Sequence, residues 1–144
     1  MTDLERNADV VHMTAYAPLF AHVDGWQWRP DLIWYDNTRM LKTVSYYVQQ
    51  MYATNKGTNV LKMTMDNKPV AGQEGQNGLF ASAVVDKAEN IVIVKVINTS
   101  KEKQSVSINL LGLKGAAQAE TITLTHNEMD AENTLDEPEK ITPK

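Results

Sequence analysis

The side chains best suited to recognising a ligand are crowded into one stretch, "YAPLFAHVDGWQWRPDLIWYDN", residues 16–37. It holds all three tryptophans (Trp26, Trp28 and Trp34), His22 and the aspartates Asp24, Asp31 and Asp36. Aromatic rings offer a flat platform to the apolar face of a sugar, while Asp, Asn and His answer its hydroxyls. The competing account is packing, because large aromatics dominate core energetics wherever they are buried.

Hydrolysis of a sugar bond would need two carboxylates flanking that bond at a defined separation. Glu5 falls in an opening helical segment, and Glu102, Glu128, Glu132, Glu137 and Glu139 fall in loops or the tail, where they read as solvated charge. Asp24, Asp31 and Asp36 share the aromatic stretch, yet no second carboxylate from another strand joins them. No acid/base pair is complete, and no catalytic residue is assigned. His12, His22 and His126 lack the i, i+4 spacing of a helical zinc site, and no cysteine assists them, so neither a metal nor a cofactor is expected. His12, inside an apolar run, reads as a hydrogen-bonded core histidine; His22, beside Asp24, reads as a polar contact. "GQEGQNG" lacks the spacing and the following Lys-Ser/Thr of a phosphate loop and reads as a flexible turn.

Composition narrows the partners. The net charge is −4 and no Lys/Arg cluster is interleaved with aromatics, which argues against nucleic acid. No run approaches the roughly 18 apolar residues of a membrane span, so no membrane partner is expected. The opening "MTDLERNADV" lacks the basic and apolar regions of a signal peptide, and the compartment stays open between cytoplasm, periplasm and secretion. With 42% hydrophobic and 22% charged residues, 144 residues suffice for a folded core.

Two halves of different character must position these residues. In residues 1–57, "TDLERNAD" reads as the end of a helix. "VVHMTAYAPLFA" reads as a strand buried on both faces, as in a parallel barrel. The aromatic loop follows. Leu41, Val44, Val48, Met51 and Tyr52 then form one helical stripe, closed by Gly57 as a C-cap. In residues 58–144, "VLKMTMD", "GLFASAVVD", "IVIVKVIN", "SVSINLL" and "ETITLT" alternate with period two, which predicts five strands of an antiparallel sandwich. From about residue 127 the chain is acidic, contains proline and has no periodicity, so it reads as loop or tail.

"LERNADVVHMTAYAPLFAHVDGWQWRPDLIWYDN" and "SYYVQQMYATNKGTNVL" closely resemble the C-terminal portion of α-L-arabinofuranosidases of glycoside hydrolase family 51. "IVIVKVINTS" and "SVSINLLGL" are similar to the C-terminal β-sandwich of the same enzymes, so that the resemblance covers roughly residues 3–125. It implies a mainly β fold: an antiparallel jelly-roll-like β-sandwich (58–144) preceded by the last βα unit of a (β/α)8 barrel (1–57). It also implies a parent that releases terminal α-L-arabinofuranosyl residues from arabinan or arabinoxylan with retention. The two catalytic glutamates would lie upstream of Met1 in earlier barrel strands, so a truncated, inactive piece is expected. Trp26, Trp28 and Asp31, with His22 and Asn37 behind them, would contact an arabinose-containing oligosaccharide or polysaccharide. The alternative is an autonomous carbohydrate-binding or purely structural sandwich, against which residues 58–144 offer only Phe80 as an aromatic. A lone barrel strand would leave the Val10–Ala21 run uncovered, and a homo-oligomer is one way to cover it.

Overall fold

The structure is a computed structural model that describes residues 1–112 and 118–144. Chain contacts divide it into two compact units: Met1–His12 with Asn55–Ala119, and Met13–Thr54 with Glu120–Lys144. Among the described residues strands predominate and the sheets are open, as the mainly β expectation required.

The first unit is built on a three-stranded antiparallel sheet. β1 (Asn59–Leu61) and β2 (Ile91–Asn98) flank β3 (Leu79–Asp86), which pairs on both sides. Pairing on both edges suits the Ala/Val-rich sequence of β3, where Ala81, Ser82, Ala83 and Val84 are all buried. The "KAEN" link closes the hairpin to β2: the Asp86 carboxylate accepts from the N–H groups of Ala88 (2.9 Å) and Glu89 (3.3 Å). Met63 and Met65 pack on the core of Val70, Leu79 and Ala81. "VLKMTMD" is not one strand: it is interrupted at Lys62–Met63, and Asp66 and Asn67 then take positive φ (51° and 62°) in a two-residue turn. That turn joins β4 (Thr64–Met65) to β5 (Lys68–Pro69).

The short helix α1 (Thr2–Arg6) docks on β3 through its polar side chains. Arg6 Nη1 donates to the carbonyls of Val70 (3.0 Å) and Ala81 (2.7 Å), and the Arg6 guanidinium also pairs with Asp3. Glu5 accepts from Ser82 Oγ and is bonded to Lys95 Nζ.

"GQEGQNG" is built rather than flexible. Gln76 is buried, accepts from the N–H groups of Ala71 (2.8 Å) and Gln73 (3.1 Å) and donates to Pro69 O (2.8 Å). "SVSINLL" and "ETITLT" join no sheet among the described residues. Val106, Ile108 and Ile122 are 44%, 45% and 52% exposed, so the alternation meets no layer that would cover its apolar face. Leu113, at the end of "SVSINLLGL", lies outside the described residues.

The second unit carries the aromatic stretch. β6 (Phe20–His22) runs parallel to β7 (Ile33–Tyr35), which pairs antiparallel with β8 (Met40–Lys42). α2 (Val44–Thr54) follows, with Thr43 as its first-turn cap: Thr43 Oγ1 accepts from Tyr46 N–H (3.3 Å) and donates to Leu32 O (2.8 Å). Only Phe20–His22 of the expected barrel strand is paired. Val10 (69% exposed) and Met13 (90%) lie open, and His12 is exposed rather than a core histidine, because no neighbouring strand flanks this run. The core here is Ala21, Trp34 and Leu41, with Val23 and Leu135 against it. The tail is ordered by Asn133, whose side chain bonds Lys42 O (3.1 Å), Ile141 O (3.0 Å) and Ile141 N–H (2.7 Å).

Candidate functional site

The ten residues from Val23 to Leu32 cross between two parallel neighbours, β6 and β7, and no helix is present to fill the crossover. Its aromatic and charged side chains perform that packing instead. Trp34, on β7, is 8% exposed and meets Trp26 edge-on, with ring centroids 5.9 Å apart at 79°. The Arg29 guanidinium lies 4.9 Å from the Trp34 ring and 5.4 Å from the Trp26 ring, and 3.7 Å from the Glu132 carboxylate. Trp34 is therefore core, as the packing account requires, whereas Trp26 (47% exposed) and Trp28 (62%) present ring surface to solvent.

His22, Tyr35 and Asn37 meet at the C-terminal ends of β6 and β7. His22 stacks edge-on with Tyr35 at 5.2 Å. Its Nδ1 accepts from Asp24 N–H at 3.2 Å, which leaves the ring proton on Nε2, 3.4 Å from Asn37 Oδ1. This pair can both donate to and accept from a hydroxylated ligand. Asp36, next along β7, has its carboxyl lowered to about 2 by the backbone N–H groups of Thr38 and Arg39 and by the Arg39 guanidinium, so it is ionised at neutral pH.

Asp31 stands apart from both groups. It is 2% exposed and borders a cavity of about 520 Å³ lined also by Arg29, Trp34, Leu41, Ser45 and Thr134. Five expected contact residues thus divide by place: His22 with Asn37, Trp26 with Trp28 on the exposed loop, and Asp31 in the cavity. Among the described residues no group of three metal-ligating side chains forms, and no helix is long and apolar enough to cross a membrane. Sequence reasoning did not single out Arg29 or the 131–135 segment, and it read Tyr35 only as packing of the loop. Arg29 was legible in "WQWRPD" as a cation between aromatics; the tail carried no periodic signal.

The chain matches the family described as alpha-L-arabinofuranosidase C-terminal domain over residues 1–144. Alpha-L-arabinofuranosidase A of Aspergillus kawachii is 34% identical over 145 residues, covering 99% of this chain and 21% of that protein. Alpha-L-arabinofuranosidase 1 of Arabidopsis thaliana is 29% identical over 147 residues, covering 97% and 20%. The structure of an arabinose-bound GH51 α-L-arabinofuranosidase superposes with a TM-score of 0.83 at 30% identity, over the whole of this chain and 22% of that one. The chain spans about a fifth of the length of the curated relatives it matches. It belongs to the α-L-arabinofuranosidase C-terminal domain family.

Proposed function

We propose that these residues are the C-terminal part of a retaining glycoside hydrolase that releases terminal α-L-arabinofuranosyl residues from arabinan or arabinoxylan. The two catalytic glutamates are contributed by chain outside these 144 residues. One protonates the departing glycosidic oxygen as the other bonds to the anomeric carbon; water then breaks that ester, releasing arabinose and regenerating both carboxyl groups.

In this reading residues 1–57 end the catalytic barrel and residues 58–144 form the accessory sandwich. The exposed run after Val10 then lies against other barrel strands. The sugar contacts then come from three places: His22 with Asn37, Trp26 with Trp28, and Asp31.

The observation that carries the proposal is the match of the entire chain to one domain family, combined with an aromatic loop whose Trp26 and Trp28 keep free ring surface. The test is turnover of an aryl α-L-arabinofuranoside. The 144-residue chain is expected to give none, and the full-length protein is expected to give turnover with retained anomeric configuration. Turnover by the chain alone would overturn the division of labour.

A further inference from the structure

Residues 123–144 contain no helix or strand, yet they are fastened at both ends and in the middle. Thr123 and Lys144 exchange a reciprocal pair of backbone hydrogen bonds, 2.8 and 2.9 Å, which closes the segment into a loop. Asn133 is 4% exposed and uses both ends of its side-chain amide: Nδ2 donates to the carbonyls of Lys42 and Ile141, and Oδ1 accepts from Ile141 N–H. A buried amide is costly unless its bonds are made, and a stretch needed only for solubility has no reason to bury one. Loops longer than about 12–15 residues without secondary structure are mostly functional or disordered, and this one is cross-linked.

What the fastening delivers is Leu135. Its side chain packs against the core of Ala21, Trp34 and Leu41, while its carbonyl and the Asp136 carboxylate accept from Arg39 Nη1 at 3.4 and 3.1 Å. Trp34 in turn holds Trp26 edge-on at 5.9 Å, and the two rings share the Arg29 guanidinium. A mechanical path thus runs from Asn133, bonded to β8, through Leu135 and Trp34 to the half-exposed ring of Trp26. Contact along such a path is geometry; coupling along it has to be measured.

We infer that the 131–136 segment braces the aromatic loop, with Asn133 and Leu135 as positioning residues that act through Trp34 on Trp26. Its use in sugar binding rests on the arabinofuranosidase reading, in which Trp26 touches substrate; the bracing itself does not. A ring already held in place adds no ordering cost when the sugar arrives, which favours binding without altering the chemical step.

Two measurements test this. In the 144-residue chain labelled with 5-fluorotryptophan, Asn133→Ala is expected to shift the Trp26 fluorine resonance, assigned by Trp26→Phe, toward that of a free side chain. An unmoved Trp26 resonance in the folded variant would overturn the inference. In the full-length protein, Asn133→Ala is expected to raise the KM for an arabino-oligosaccharide about fivefold at unchanged kcat, the effect of having to order one rotamer-rich side chain on binding. The same substitution in a Trp26→Ala background should add nothing, because the path ends at that ring. An unchanged KM, a KM increase that persists in that background, or a loss confined to kcat would overturn the positioning role. Leu135→Ala leaves the Asn133 bonds in place and should reproduce both effects, so the test survives if Asn133→Ala folds poorly. Absent turnover by the full-length wild type would sink the hydrolase reading alone, and the fluorine spectra would still decide the bracing.

Discussion

Glu5 and Ser82 meet through a 2.5 Å hydrogen bond, carboxylate accepting from hydroxyl, although 77 residues separate them. The same carboxylate is bonded to Lys95, and both charged side chains are shielded, at 15% and 11% exposure. A five-residue helix has little stability of its own, so α1 holds its place by this polar docking together with Arg6.

Glu5→Ala is expected to lower the unfolding free energy by about 3 kcal/mol, since it strips a shielded ammonium of its carboxylate. Ser82→Ala should cost about 1 kcal/mol, the worth of one hydrogen bond. Urea titrations of the three proteins measure both. A Glu5→Ala loss no larger than about 0.5 kcal/mol, typical of surface substitutions, would mean that α1 is not anchored this way.

What the sequence made legible follows from where its patterns were answered. "GLFASAVVD" and "IVIVKVIN" were readable as a hairpin because their periodicity and turn chemistry are satisfied within the chain, residue against residue from Leu79–Asn98 to Asp86–Ile91. "VVHMTAYAPLFA" and "SVSINLL" carried equally strong strand signals, but a strand also needs an edge to pair with and a layer to cover it, and the described residues supply these only at Phe20–Ala21 of the first and not for the second. In the aromatic stretch, residue types predicted recognition without telling Trp34, buried on β7, from Trp26 and Trp28, which are not. The unbroken apolar run Leu32–Ile33–Trp34, buried throughout, held that distinction, overshadowed by the composition of the loop. Asn133 was unreadable: a buried asparagine cross-linking Lys42 and Ile141 leaves no periodic trace in an acidic segment.

Asp36 should make the β7–β8 turn sensitive to acid. Its carboxyl is lowered from 3.8 to about 2, first by the Thr38 N–H, then by the Arg39 N–H and guanidinium, while Arg39 reaches on to Asp136 at 3.1 Å. A carboxyl that binds its proton less tightly when folded contributes stability above its unfolded pKa, near 4, and loses it as the pH falls toward 2. Melting temperatures of wild type and Asp36→Asn should therefore differ above pH 4 and converge toward pH 2. A gap that stays constant across this range would show that the carboxylate charge is not the source.

Arg29 is expected to hold the crossover together through its two rings rather than through Glu132. Its ion pair is long, 3.7 Å, and its side chain is 57% exposed, conditions under which a salt bridge contributes little. Ring contacts at 4.9 and 5.4 Å suffer less from solvent screening. Arg29→Ala should thus cost about 1 kcal/mol and change the tryptophan fluorescence, with Glu132→Gln close to neutral. Equal losses from the two substitutions would reverse the ranking.

Gly57 and Gly25 make a matched pair in which only close approach distinguishes the sites, since neither takes a positive φ. A Cβ on Gly57 would lie 2.7 Å from the Val85 carbonyl oxygen and 2.9 Å from Val84 Cβ, so the backbone of β3 would have to move. The helix-capping role read from sequence is thus not what demands glycine there. At Gly25 nothing lies within 4 Å. Gly57→Ala is expected to destabilise by about 2 kcal/mol through overpacking against a paired strand. Gly25→Ala should be neutral or slightly stabilising, because it restricts only the unfolded chain. Thermal melts of the two variants side by side make the comparison. Similar melting temperatures for both would mean that Thr58 and Val85 can separate at no cost, contrary to the 2.8 Å hydrogen bond from Thr58 N–H to Val85 O that draws this segment against the strand.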